Sequence, residues 1–512
     1  MAPHPLLQNP DPNAFVDAAA ALSGPARLPV VISRPADLLT PVGALLRLRG
    51  RSSHPFLLES VEGGERLARY SFVGFQPRLV VRSWGHRVEL EHLEGPRAGE
   101  VEHRTADPRD VLRELCATPL VDAPDLPRFL GGAVGFFGYD SVRLVERIPR
   151  SGRDELGTPD IDVALHDRIV AFDHLRSVAH LVRIVEVAAG ESDQSLRRRH
   201  AEAVAELSAL AAELEGPAPA PPRSPGGPEP TFTSNIEQPE FEAAVRTAQE
   251  HILAGDIFQV VLSRRMTAPI TCDPFCIYRA VRALNPSPYL FYFELGEHTL
   301  VGASPEMLVR AEGDRVQTLP IAGTRKRGAT PAEDAALEAE LLADPKENAE
   351  HEMLVDLGRN DIGRISRFGT VKLAEHRRIH RFSHVMHIVS RVEGRLRDDK
   401  DGLDALYACF PAGTVSGAPK VRAMQIVDAL EPDVRGVYAG AVGYLDYRGD
   451  LDTCIAIRTV VVHDGKAHVQ AGAGIVYDSV PSSEFEETAN KARALVEAIG
   501  WAETGVLDGA PS

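Results

Sequence analysis

Acidic side chains recur at helical spacing in two widely separated stretches of this chain. In residues 344–365, Asp344 suits an N-cap, Pro345 suits the first helical position and Glu347 would complete a capping box. Leu354 and Leu357 supply an apolar stripe, and Gly358 reads as the stop. Glu347, Glu350 and His351 stand three and four residues apart, so they share a face. Near the C-terminus, Ser482-Ser-Glu-Phe-Glu-Glu-Thr488 opens a second helix, with Ser483 and Glu486 as a capping box. Glu484 and Glu487 share a face there, near the positive end of the helix dipole. A hard divalent cation wants carboxylate oxygens, and Mg²⁺ takes only one or two from protein, leaving places for substrate. Two such helices facing each other would make a Mg²⁺ site. The competing reading of each helix alone is a solvated acidic face.

Other residues fit the holding of an anion. Gly323 and Thr324, in Pro320-Ile-Ala-Gly-Thr-Arg325, end a strand with backbone N–H groups and a hydroxyl. Gly472 and Gly474, in Ala471-Gly-Ala-Gly-Ile475, let a ligand approach the backbone. A tight turn explains either loop equally well. Arg458 projects from the apolar strand Asp452-Thr-Cys-Ile-Ala-Ile-Arg458 and needs an anionic partner, either a ligand carboxylate or an internal salt bridge. His387 alternates with apolar residues, which fits a core histidine as well as a base. Glu306 follows Pro305 in a tight turn, where a surface role is the competing reading.

The elements that must position these residues come next. The Pro-rich segment 216–230 cannot hold a ladder or a helix interior, so it reads as an exposed linker. It divides the chain into 1–215, a linker at 216–232, and 233–512. Residues 1–30 look loosely tied, strand signals recur between residues 55 and 190, with a turn at Glu62-Gly-Gly-Glu65, and 195–215 read as a helix. Beyond the linker, a helix opens at Pro239 and ends at Gly255. Strands follow at 256–264, 289–294 and 300–309, and another runs through Phe382–Arg391. Gly440-Ala-Val-Gly-Tyr444 echoes Gly132-Ala-Val-Gly-Phe136. With neither G-x-G-x-x-G nor a P-loop, the pattern points to an α+β fold: large antiparallel β-sheets forming a sandwich, with helices on the outer faces.

Formal net charge is −17, which argues against nucleic acid or an anionic membrane as main partner. There is no apolar run long enough to span a bilayer and no secretory pattern, so a cytoplasmic protein is expected. The five cysteines are scattered and read as reduced thiols.

Four stretches together resemble the chorismate-utilising enzymes, and among them the anthranilate synthase large subunits. These are Pro320–Arg325, Ala349–Asp361, Phe410–Met424, and Asp452–Thr459 taken with Ala471–Tyr477. The resemblance implies that Glu350 and Glu487 are Mg²⁺ ligands, with Glu347 and Glu484 beside them. It implies chorismate contacts at Gly323, Thr324, Tyr438, Arg458, Gly472, Ala473 and Gly474, with Thr324 also close to the chemistry. Glu306 would protonate the departing C4 hydroxyl, and His387 would serve the later loss of pyruvate. Isochorismate-forming members carry a lysine base where this chain has Gln259, and the para-aminobenzoate branch carries lysine where it has Ala322. Both substitutions favour direct attack of ammonia at C2.

No cysteine lies in a Gly-x-Cys-x-Gly elbow, so a separate glutamine amidotransferase subunit is implied, in a heterotetramer of two large and two small subunits. Leu57-Leu-Glu59-Ser60 with Pro288, Tyr289 and Leu290 resembles a tryptophan pocket that would mediate feedback inhibition. Leu290 stands where the family often has methionine. The rival readings are a 4-amino-4-deoxychorismate synthase, an aminating relative that stops at the intermediate, and a non-catalytic tryptophan-binding regulator.

Overall fold

The computed structural model describes residues 11–60, 69–121, 123, 126–381 and 385–506. Two sheets of twelve strands each dominate it, and every strand pairing within them is antiparallel. The expected α+β sandwich is thus the fold observed.

The period of the strand Tyr289–Leu295 shows how the layers are built. Phe291 and Phe293 point into the core between the sheets, while Leu290 and Tyr292 point into a second core on the outer face of the first sheet. That outer core is closed by helices Pro12–Ala20, Pro41–Leu48, Asp193–Glu215, Pro274–Leu284 and Pro481–Thr504.

Both sheets draw strands from both sides of the Pro-rich segment. Strand Phe56–Glu59 pairs with Tyr289–Leu295, and strand Gly132–Phe137 pairs with Ala441–Asp446. The second pairing joins the two echoing Gly-Ala-Val-Gly stretches and sets Gly135 opposite Gly443. A Cβ at Gly443 would lie 2.0 Å from the Asp452 carbonyl oxygen, so the backbone approach there excludes any side chain. The Pro-rich segment holds no helix or strand over 217–232, yet it is tacked down: Gly227 N–H donates to Glu503 O at 3.0 Å.

Several local expectations change. Residues 12–35 are not loose: Ala-rich Pro12–Ala20 is helical, with Phe15 and Val16 buried, and Ala26–Pro35 is a sheet strand. The strand expected over 300–309 is broken at Pro305, which has no N–H for a ladder. His298–Ser304 belongs to the first sheet and Met307–Glu312 to the second, so Glu306 sits where the chain crosses between layers. The Glu62–Glu65 turn and residues Phe382–His384 lie outside the described residues; the strand itself runs Val385–Arg395.

The first acidic helix, Pro345–Gly363, is capped as expected: Asp344 accepts from the N–H groups of Lys346 and Glu347 at 3.0 and 3.2 Å. Its capping box does not close, because the Glu347 carboxylate meets Arg325 at 3.4 Å instead. Gly358 does not end it; the helix continues five residues further, to Gly363. Gly358 is where the helix crosses the second sheet, and a Cβ there would lie 3.1 Å from Thr318 Cγ2.

The second acidic helix, Pro481–Thr504, starts earlier than expected, with Val480 at the N-cap and Pro481 in the first turn. The Ser483–Glu486 box is therefore not formed. Arg264 fastens this helix to the first sheet: its Nε donates to Thr488 Oγ1 at 2.6 Å, and its guanidinium lies 3.8 Å over the Phe485 ring.

The tight crossing at Gly358 yields a prediction. Gly358→Val should destabilise the fold by about 1–3 kcal/mol through overpacking. Thermal unfolding of the purified variant measures this; an unchanged midpoint would contradict the crossing described here.

Candidate active site

The two acidic helices border one cavity of about 920 Å³, into which Glu350, Glu484 and Glu487 project. Gly323, Thr324, Glu306, His387, Tyr438, Arg458, Gly472 and Gly474 line the same cavity. Residues separated by up to 181 positions, Glu306 to Glu487, thus converge on one space.

The donor set on the helices is all oxygen. Burial raises the pKa of Glu350, and the negative charges of Glu347 and then Glu487 raise it further, so these carboxylates feel one another. Burial and the charge of Glu487 likewise raise that of Glu484. Lys491, one helical turn beyond Glu487, ion-pairs with it at 2.8 Å and donates to the Gly472 carbonyl at 3.0 Å. Among the described residues no three His, Cys, Asp or Glu side chains form a cluster able to hold a metal by themselves. His351 is no part of this set: it is fully buried and bonded to Ser390 Oγ at 2.6 Å.

Glu306 is the half-buried acid of the cavity. Removal from water lifts its pKa to about 7, opposed by a 3.0 Å hydrogen bond from the Thr414 hydroxyl and by the charges of Arg458 and Lys491. A carboxyl raised toward neutrality can still hold a proton to give, which is what a general acid requires. The surface-turn reading of Glu306 therefore falls away.

His387 lies across the strand pairing from Thr324. Its Nδ1 is 2.9 Å from the Gly323 carbonyl and 3.0 Å from Thr324 Oγ1. A carbonyl only accepts, so Nδ1 carries the proton and Nε2 is the basic atom. Burial lowers the ring's pKa, which favours the neutral form.

Arg458 is left without a carboxylate partner among the described residues, which disposes of the internal salt bridge. Its nearest polar contact is Asn285 Oδ1 at 3.5 Å, and burial lowers its pKa. Its backbone sits at φ 50°, a conformation that non-glycine residues adopt at a cost of about 1–3 kcal/mol. A half-buried guanidinium with no carboxylate partner among the described residues is a site for an anion.

The glycine loops allow close approach. A Cβ at Gly472 would lie 2.7 Å from the Tyr438 hydroxyl, and one at Gly474 would lie 2.6 Å from Gln259 Nε2. Ala473 differs from its neighbours: its side chain is fully buried in the hydrophobic core and it does not line the cavity. Thr414 and Lys491 were not singled out by sequence reasoning. The i,i+4 spacing of Glu487 and Lys491 was a usable signal, whereas Thr414 meets Glu306 only through the tertiary fold.

A second cavity, of about 850 Å³, is lined by Leu58, Glu59, Ser60, Pro288, Tyr289 and Leu290, among others. Leu57 and Leu58 part company here, Leu57 packing into the outer core. The Glu59 carboxylate is tied to the Tyr278 hydroxyl and to Arg282 Nε, the latter at 3.0 Å. Leu290 borders the cavity while its side chain packs in the outer core; Tyr289 donates to Asp452 Oδ1 at 3.0 Å. The two cavities adjoin along the chain: Met307 and Cys454 line the second, Glu306 and Ile457 the first.

The family model for chorismate binding enzymes matches residues 54–497. The anthranilate synthase component 1 of Acetivibrio thermocellus is 47% identical over 92% of this chain and 95% of its own length. That of Thermus thermophilus is 48% identical over 92% and 97%. Among solved structures, anthranilate synthase component I from Streptococcus pneumoniae superposes with TM-score 0.73 at 39% identity, covering 90% of this chain and 99% of that one. The menaquinone-specific isochorismate synthase of Escherichia coli, at 20% identity and TM-score 0.66 over 95% and 98% of the two chains, shares the fold. With a matching model over most of its length and such relatives, the chain belongs to the chorismate-binding enzymes.

Proposed function

We propose that this chain is the large subunit of an anthranilate synthase, using ammonia and chorismate to make anthranilate and pyruvate in tryptophan biosynthesis. The observation that carries the reading is the convergence of Glu306, His387, Arg458, which has no carboxylate partner among the described residues, and the helical carboxylates Glu350, Glu484 and Glu487 on one cavity. Chorismate is a dicarboxylate with an allylic hydroxyl, and each of these groups has a matching part on it.

In the first step a bond forms from the ammonia nitrogen to C2, both ring double bonds shift by one position, and the C4–O bond breaks. The departing hydroxide takes the Glu306 proton and leaves as water, while the new ammonium sheds a proton. In the second step the C2 proton is removed, for which His387 Nε2 is suited. The C3–O bond then breaks, and the released enol takes up a proton to become pyruvate. Arg458 and the backbone around Gly472 and Gly474 suit one substrate carboxylate. Glu350 and Glu487, with Glu347 and Glu484 beside them, would hold Mg²⁺. The bound ion would neutralise the other carboxylate and polarise the ring toward attack.

Ammonia would come from a glutamine amidotransferase subunit, since none of the five cysteines has the required elbow. The second cavity would take tryptophan. An occupant there presses on the strands flanking Glu306 and Arg458, which supports inhibition through a two-state equilibrium.

Three measurements test this. Incubated with chorismate, Mg²⁺ and ammonium, the purified chain should yield anthranilate by mass and fluorescence. Accumulation of 4-amino-4-deoxychorismate would refute the assignment. At constant free ammonia, kcat/KM for chorismate should fall as pH rises through about 7, because Glu306 acts protonated; Glu306→Gln should lower the rate by about 10²–10⁴-fold. A rate insensitive to that substitution would remove Glu306 from the chemistry. Ser60→Arg should abolish tryptophan inhibition while sparing ammonia-dependent turnover, and an unchanged inhibition curve would count against the second cavity.

A further inference from the structure

Gln470 lies on the strand Lys466–Ile475, two residues before Gly472 and four before Gly474. The strand period puts it on the face of those glycines, and it lines the same cavity. Behind it runs a chain of hydrogen bonds whose direction is fixed. Arg435 is buried and can only donate, with Nε 2.8 Å from Glu431 Oε2 and Nη2 2.6 Å from Oε1. The same carboxylate accepts from Ser263 N at 2.7 Å and from Ser263 Oγ at 2.9 Å. The hydroxyl proton of Ser263 is thereby committed to Glu431, so its oxygen can only accept from Gln470. Gln470 Nε2 makes that bond at 2.9 Å.

The relay therefore decides which way the amide faces, a choice that geometry alone leaves open in most glutamines. Gln470 Oε1 receives no hydrogen bond from the described residues and is not shut away from the cavity. Gln259 also lines the cavity, but no hydrogen bond among the described residues fixes its amide.

We propose that Gln470 Oε1 is the acceptor that orients the attacking ammonia, an assignment that rests on the aminating reading above. The other side-chain acceptors around the cavity include the carboxylates of Glu306, Glu350, Glu484 and Glu487. A carboxylate stabilises ammonium, whose nitrogen has no lone pair to give. A neutral amide oxygen accepts one N–H of ammonia and leaves the lone pair free for C2. Chorismate itself offers a single hydroxyl donor, which the acid Glu306 engages. Apart from the cavity's own cations Lys346, Arg458 and Lys491, the nucleophile is the species that brings N–H groups to this cavity.

The test is steady-state kinetics of anthranilate formation from ammonium, with ammonia and chorismate varied separately. Gln470→Leu should raise the KM for ammonia on the order of tenfold, as for loss of one neutral hydrogen bond, with the KM for chorismate held within about twofold. Gln470→Met, closer in length, guards against a folding defect and should behave alike. Ser263→Ala, which frees the amide to turn over, should raise the KM for ammonia by less. An unchanged KM for ammonia in a folded Gln470 variant would overturn the assignment, and so would a rise confined to the KM for chorismate. If the unsubstituted chain makes no anthranilate from ammonium, the functional reading fails first and takes this assignment with it.

Discussion

Mutual repulsion among carboxylates is the constraint around which this structure is arranged. Glu347, Glu350, Glu484 and Glu487 come from helices far apart in the chain, yet the charges of Glu347 and Glu487 raise the cost of charging Glu350, and that of Glu487 the cost of charging Glu484. Left to themselves such groups would separate into water. They are held together because the helices bearing them are pinned elsewhere. The first helix is pinned by the close crossing at Gly358, the second by Arg264 on Thr488 and Phe485. Lys491 on Glu487 and Arg325 on Glu347 offset part of the repulsion. Pinned oxygen donors whose charge is only partly offset are what an incoming cation can exploit.

The sheets carry the second half of the arrangement. The chain passes from one layer to the other at Pro305–Glu306, so the acid sits at a seam, and its neighbour Met307 already belongs to the other cavity. Arg458, in strained backbone beyond the strand Leu451–Ile455, lies on a comparable seam, with the strand Thr459–His463 in the first sheet. Cavities that share strands in this way cannot be deformed independently, since packed interiors transmit strain.

Much of the site was legible because its signals are local. Carboxylates three residues apart share a helical face whatever the fold, and Asp344 caps its helix as its type and place suggested. The sandwich followed from alternation and the absence of phosphate-binding loops. Long-range contacts were not legible. Gly358 looked like a stop because helices often end at glycine, and only the sheet beneath explains why the helix runs on. The Pro-rich segment looked like a boundary between bodies, while the strand pairings on either side of it are shared. Thr414 on Glu306, the missing partner of Arg458 and the directed relay behind Gln470 are tertiary facts with no local signature.

The account stands on both acidic helices serving one ion. Its most direct test is a crystal of the chain soaked in Mn²⁺, a Mg²⁺ substitute located by its anomalous scattering. The account predicts one peak in the cavity within coordination distance of both Glu350 and Glu487, lost in Glu350→Gln. A peak bound elsewhere, or one touching neither helix, would contradict it.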